Sequence, residues 1–393
     1  MRILIYCPDR HILYDGNTPK EKGVGGGITA RIRMAHALQR AGCQVQMVVN
    51  CKDDIQIDGV AYKPLDTVDR FDGDVAIINT SGDLLDLRPG MTMDFRVTQK
   101  ILWVHGSILP KGLDEFQFDS VYAVSNYIRD VVTEEWGIQS SKVFVAYNAF
   151  DSKTNATIEA SNIQKDPYRC IYFSHPSKGL SSALMLVKSL RKLDPRFHLT
   201  VYGGEALWGE NSREYPEEEG IRYSGLVGQL DLAKEVYSSG VAIQLQSRQE
   251  PGALAIVEAM RAGCLLIGSN VGCYPEYIQN GRDGFIFDGD PTAAGLIDQV
   301  AECVYAIVND KDALEYIRRN ARRIPWSTNT MARVWIAHWD WLRKGRSFSE
   351  FSCPYCGGGS LLLCDGYHCT ECGRYHRELD SVLLTGNEAL SRA

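Results

Sequence analysis

The sequence predicts an α/β chain. It is read as two similar halves, each a parallel sheet wrapped by helices, followed by a small metal-binding module. Three observations predict this. Short apolar runs alternate with longer amphipathic ones from the first residues. The alternation lapses over the polar stretch 152–168 and restarts at Cys170. Two Cys-x-x-C pairs, Cys353/Cys356 and Cys369/Cys372, stand near the C-terminus.

Size and composition bound the reading. A chain of 393 residues holds two domains and a small module, at about 100–200 residues per domain. With 45% apolar and 23% charged residues, it has the composition of an ordinary globular protein. No apolar run approaches the ~18–20 residues that a membrane span needs. The apolar opening 1–7 meets Asp9 and Arg10 at once, which suits a first core strand better than a signal peptide. A formal charge of −7 argues against a polyanion binder as a whole. Outside the four clustered cysteines, the other thiols are scattered singly in apolar contexts. That is no disulfide framework, and it predicts a reducing, cytoplasmic location.

In the first half, 3–6 reads as a strand, and Gly23, Gly25, Gly26 and Gly27 as a loop that lets a backbone approach a ligand or take positive φ. Ile28, Ile32, Ala35 and Leu38 then recur at helical spacing. Strands follow at 45–49, 75–78, 101–104, 121–124 and 143–146. Ser125 is placed to cap a helix. Trp103-Val104-His105-Gly106 ends a buried strand, so His105 is expected at a strand C-terminus, the end that binds ligands in such sheets. Residues 147–151 read as a hinge and 152–168 as a linker. In the second half, 170–173, 199–202 and 241–245 read as strands, with helices over 181–190 and 230–238. A late helix over 328–343 carries Trp335, Trp339 and Trp341. Packing anchors account for these tryptophans.

The densest chemistry lies in 247–260. Glu250 and Glu258 stand with seven residues between them, and Pro251-Gly252 follows the first. Proline suits a first helical turn, so a helix is expected to open near Pro251. Its amides at Gly252, Ala253 and Leu254 would form an anion site. Glu258 would lie about two turns in, at 3.6 residues per turn. A ligand with a diphosphate and hydroxyl groups, such as a nucleotide sugar, matches that set. Gly263 then stops the helix, an apolar strand follows, and Tyr274-Pro275-Glu276 makes a turn.

This block resembles the donor-binding region of glycosyltransferase family 4, whose members have the two-domain GT-B fold and retain anomeric configuration. The resemblance covers about 1–345 and is strongest over 170–290. It implies an acceptor-side Rossmann-like domain over 1–151. A nucleotide-sugar-binding domain over 165–325 would face it across a cleft, with a crossover helix over 326–347. The implied activity moves a sugar from a nucleotide-sugar donor, expected to be a UDP-sugar. The acceptor is left open between a glycan, a lipid-linked intermediate, a small molecule and a modified nucleobase.

The resemblance also implies residue roles. Glu250 would hydrogen-bond the donor sugar and Glu258 the ribose. Lys178, followed by Gly179, would grip the diphosphate. The arginine that usually accompanies this lysine is absent, and Arg248 is the expected substitute. His105 would contact the donor sugar, and Gly25, Gly26 and Gly27 would line the site. No catalytic metal is expected. Two rival readings stay open: an epimerase or sugar-phosphate synthase on the same fold, and a degenerate scaffold that docks protein or nucleic acid.

The module over 349–386 is read as a zinc ribbon. Twelve residues separate the inner cysteines of Cys353, Cys356, Cys369 and Cys372. Four thiolates suit closed, tetrahedral, structural Zn2+. A protein-partner role for the ribbon is a further expectation.

Overall fold

The structure is a computed structural model, described over residues 1–81, 86–344, 360–363, 366–369 and 375–377. The chain forms two compact units. One comprises 1–16, 30–148 and the described residues from 325 onward; the other comprises 17–29 and 149–324.

The first unit is built on eight strands: β1 (Arg2–Tyr6), β2 (Gln44–Val49), β3 (Ile55–Ile57), β4 (Val60–Pro64), β5 (Arg70–Thr80), β6 (Asp94–Val104), β7 (Ser120–Ala123) and β8 (Val143–Val145). Their order is β3-β4-β2-β1-β5-β6-β7-β8. Every neighbouring pair is parallel except the β3–β4 hairpin. The central strands are continuous apolar runs because both faces are covered. Ile3, Leu4, Ile5, Ala76, Ile77 and Ile78 are wholly buried. β5 and β6 begin earlier than their apolar runs. Their first halves alternate exposed Arg70, Asp72, Asp94 and Arg96 with paired Phe71 and Phe95, so hydrophobicity alone hides them.

The late helix, Thr328–Lys344, belongs to this unit. Its Trp335 is buried edge-on against Trp103, with ring centroids 4.8 Å apart, and lies 5.1 Å from Tyr122. Beyond it runs a small antiparallel sheet: β15 (Ser360–Leu363), β16 (Gly366–Cys369) and β17 (Tyr375–Arg377), if strands are numbered through the whole chain. Cys369 is buried at the end of β16. Cys353, Cys356 and Cys372 lie outside the described residues.

The second unit holds β9 (Asp166–Ser174), β10 (His198–Gly203), β11 (Ile221–Gly225), β12 (Ser239–Gln244), β13 (Leu265–Ser269) and β14 (Phe285–Phe287). All are parallel, in the order β11-β10-β9-β12-β13-β14. The helices Leu180–Leu193 and Ala294–Asn309 bury Leu186, Val187, Leu190, Val300 and Val304 in its core. Each such side chain contributes about 1.5–3 kcal/mol by leaving water. The stretch expected as a linker contains a helix, Ser152–Glu159. Asp151 caps it by accepting from the amides of Lys153 and Thr154, and Ile158 is buried beneath it. Its one apolar face is too narrow to stand out in a polar sequence. Among the described residues no helix is long and apolar enough to cross a membrane.

Candidate active site

In the second unit the strand order reverses between β9 and β12. Open parallel sheets bind ligands outside the C-terminal strand ends at such a switch point. β9 runs into His175 and a 3-10 turn, Pro176–Lys178, closed by Gly179 at φ +99°. A Cβ on Gly179 would lie 1.8 Å from the Leu245 carbonyl oxygen, so the turn is pressed against the end of β12. β12 leads into Gln246, Arg248 and Glu250.

Lys178 Nζ donates to Glu250 Oε2 at 2.7 Å. The Glu250 carboxylate is 10% exposed and the lysine side chain 24%. Gln246 Nε2 also reaches Oε2, at 3.4 Å, and donates to the Tyr274 hydroxyl. The Glu250 backbone is held as well. Its carbonyl accepts from Cys273 N at 2.9 Å, and Gly272, at φ +50°, lets the chains approach. A side chain at Gly272 would meet Glu250 O at 2.4 Å.

This clamp moves the helix start. The sequence places it near Pro251, but the helix is Leu254–Ala262. Residues 250–253 run along Gly272 and Cys273 instead. The amides that an α-helix leaves without an i−4 acceptor therefore include those of Ala255 and Ile256. Leu254 N donates to Gly252 O at 3.0 Å. Glu258 lies half-buried in the second turn.

Arg248 is exposed beside the same turn. Its Nη1 is 3.4 Å from Ser177 Oγ, and its guanidinium lies 5.2 Å from the centre of the Trp208 ring. His175 stacks flat on Trp208, with centroids 3.7 Å apart and planes 8° apart. Its Nε2 is 3.6 Å from the Glu210 carboxylate. Burial pushes the His175 imidazole below its ordinary pKa, against the opposing pull of Glu210 and Glu205. Sequence reading misses Trp208 and Gln246 and gives Tyr274 only as part of a turn, since an isolated aromatic or amide carries no spacing signal.

The glycine loop falls in this unit. Gly23, Gly25, Gly26 and Gly27 all avoid positive φ, contrary to one reason for expecting glycine there. Space is the reason at Gly25, where a Cβ would lie 3.0 Å from the Leu207 carbonyl oxygen. A Cβ on Gly26 would meet nothing within 4 Å. A cavity of about 260 Å3 opens at the same strand ends, lined by Ser174, Gly203, Gly204, Tyr215, Tyr223 and Leu226 among others. Tyr215 and Tyr223 stack 4.7 Å apart. A larger cavity, about 570 Å3, lies around Arg169, His198 and Arg222, toward the opposite strand ends. It shares no residue with the glutamate clamp.

In the first unit His105 follows β6, as expected. Its ring meets Trp103 edge-on at 4.4 Å. The ring is partly exposed, but Nε2 is buried without a hydrogen-bond partner. Burial first, and the neighbouring Arg31 guanidinium second, push its pKa down to about 3. It is therefore neutral near pH 7. Ser125 caps its helix, with Oγ accepting from Ile128 N at 3.1 Å. Among the described residues no group of three or more His, Cys, Asp or Glu is placed to hold a metal ion.

Residues 155–324 match the family model described as glycosyl transferases group 1. That stretch of the second unit is similar to group 1 glycosyl transferases. The chain is 26% identical over 231 residues to glycogen synthase of Mycobacterium tuberculosis, covering 56% of this chain and 54% of the relative. It thus spans about half the length of the curated relatives it matches. Among solved structures, a sucrose-phosphate synthase from Thermosynechococcus elongatus aligns with TM-score 0.61 at 14% identity, over 88% of this chain and 100% of that one. AviGT4, a glycosyltransferase involved in avilamycin A biosynthesis, aligns with TM-score 0.60 at 16% identity, over 88% and 98%. Anabaena HepE, solved in complex with UDP-glucose, aligns with TM-score 0.58 at 14% identity, over 88% and 100%. These likenesses give the fold: α/β, of the GT-B glycosyltransferase type, with two Rossmann-like sheets.

Proposed function

We propose that this chain is a retaining glycosyltransferase that moves a sugar from a UDP-sugar to an acceptor bound mainly by the first unit. The observation that carries the reading is the buried Glu250 carboxylate held by Lys178 at the switch point of a unit similar to group 1 glycosyl transferases. A carboxylate fixed there can accept two sugar hydroxyls through strong, charge-assisted bonds. Glu258, in the second turn of the Leu254 helix, would take the ribose hydroxyls. The stacked tyrosines beside Gly203 and Gly204 offer room for a base.

Lys178 and the first amides of the Leu254 helix would stabilise the departing diphosphate as its negative charge develops. Arg248, beside Ser177 of the turn 176–178, would add a second cation. Lys178 now pairs with Glu250, so the lysine would be shared between carboxylate and diphosphate when the donor binds. His105, neutral, would orient a donor hydroxyl rather than attack. UDP as the nucleoside diphosphate is supported by the resemblance and by the UDP-glucose complex of HepE.

Proton NMR of slow donor hydrolysis tests this reading. With UDP-glucose and related UDP-hexoses, the first-formed free sugar should carry the donor's own anomeric configuration. Inversion would remove the retaining assignment, and no turnover of any UDP-sugar, with or without acceptors, would remove the donor class.

We also propose that Cys353, Cys356, Cys369 and Cys372 hold one structural zinc. Buried Cys369 at the end of β16 supports this. Metal analysis should find one zinc per chain, lost in Cys369→Ser.

A further inference from the structure

Arg31 is a charged residue on the apolar face of its helix, Gly26–Arg40, three residues after Ile28 and four before Ala35. It is 0% exposed. Nε donates to the Tyr14 hydroxyl at 3.1 Å. Nη1 donates to Ser81 Oγ at 2.7 Å and to Asn79 Oδ1. Nη2 is buried and has no hydrogen-bond partner. Among the described residues no carboxylate forms an ion pair with this guanidinium. Asp9 is the acidic side chain that acts on it electrostatically, but Asp9 Oδ2 accepts the Ser81 amide at 2.7 Å instead. Buried charges are ordinarily paired or bound to a ligand, and an orphaned donor in a native core calls for a reason.

Two further observations point the same way. The sheet of the first unit reverses order between β1 and β5, so its ligand-binding crevice is expected beyond Tyr6 and Thr80. Arg31 bonds to Asn79 and Ser81 at that place. Asn79 Nδ2 also donates to the Trp103 carbonyl at 2.6 Å, which ties β5 to β6 two residues before His105. The second orphaned atom of this cluster is His105 Nε2. Guanidinium and neutral imidazole N–H groups are both donors, and a guanidinium suits an oxyanion best.

We propose that Arg31 and His105 form a recognition site in the first unit for an oxyanion, phosphate or carboxylate, carried by the acceptor. The word acceptor rests on the glycosyltransferase reading; the anion site does not. Tyr14, Asn79 and Ser81 hold the guanidinium so that Nη2 remains for the ligand. His105 supplies Nε2–H in its neutral tautomer, which leaves Nδ1 for the donor hydroxyl that it would orient.

The test uses the full chain, inorganic phosphate as probe, and UDP in parallel. In 15N-histidine-labelled wild type, phosphate should shift the His105 Nε2 resonance. Arg31→Gln should weaken phosphate binding at least tenfold and leave UDP affinity within twofold. Arg31→Lys, which keeps the charge, is the companion if Arg31→Gln does not fold. Asp83, two residues beyond Ser81, lies outside the described residues, so Asp83→Asn is included. No phosphate effect in folded wild type overturns the site, and so does phosphate binding that appears only in Asp83→Asn. Parallel loss of UDP and phosphate in Arg31→Gln overturns the acceptor assignment and gives the arginine to the donor diphosphate. If wild type binds phosphate but no nucleotide, the site stands and the transferase reading falls.

Discussion

Lys178 Nζ lies 2.7 Å from Glu250 Oε2, an ion pair that closes the switch point of the second unit. Each partner would have a second task once a donor arrives. Lys178→Met should therefore do two things. It should leave the buried carboxylate uncompensated and lower stability by about 3 kcal/mol, at the low end for a broken buried pair because the lysine keeps some water. It should also cut kcat by about a hundredfold, the scale of losing one donor to a developing negative charge. Chemical denaturation and steady-state kinetics check these separately. Glu250→Gln combined with Lys178→Met should recover part of the stability and none of the activity.

Gly179 holds that turn in place. Its φ of +99° and the 1.8 Å approach to the Leu245 carbonyl leave no room for a side chain. Gly179→Ala should cost at least about 2 kcal/mol from backbone strain alone. Thermal unfolding reads this directly. An unchanged Tm would mean the turn is not clamped as described.

These features were unequally legible in the sequence. Alternating apolar runs gave the positions of the central strands, because strands covered on both faces are apolar throughout. The polar first halves of β5 and β6 and the one-sided helix Ser152–Glu159 were not legible, since their burial is narrow or absent. Glu250, Glu258 and Lys178 could be singled out by motif. The helix start could not, because it is set by Gly272 and Cys273, which hold Glu250 from 22 residues away or more. Arg31 does leave a signal, a cation at i+3 from Ile28 on an apolar face. Trp208 and Gln246 act only through folded neighbours.

Arg248 is the proposed replacement for a missing phosphate-binding arginine. Arg248→Ala should raise the KM for donor about tenfold, with a smaller change in kcat. Trp208→Ala, which removes the ring beneath the guanidinium, should shift KM in the same direction. If Arg248→Ala leaves donor affinity intact while Lys178→Met abolishes activity, the second cation lies elsewhere.

His338 predicts how stability depends on pH. It is buried in the first unit, stacked on Phe144 at 3.9 Å, and its Nδ1 is hydrogen-bonded to the Tyr122 hydroxyl at 2.7 Å. Burial, then the neighbouring His368, push its pKa down to about 3. The unfolded value is near 6.5. Below that pH the unfolded chain takes up a proton that the folded one refuses. Stability should be intact above about pH 6.5 and fall by up to about 1.4 kcal/mol per unit as pH drops toward 3. His338→Gln should flatten that slope in Tm measured from pH 7 to 4. An unaltered slope would assign the acid sensitivity to other groups.

The switch point of the second unit is proposed to bind a nucleoside diphosphate through Glu258 and its neighbours. Calorimetric titration of the full chain with UDP, GDP, ADP and dTDP, alongside Glu258→Ala, tests it most directly. Micromolar binding of UDP above the others, lost in the variant, is the expected result. No binding of any of the four to folded protein would contradict it.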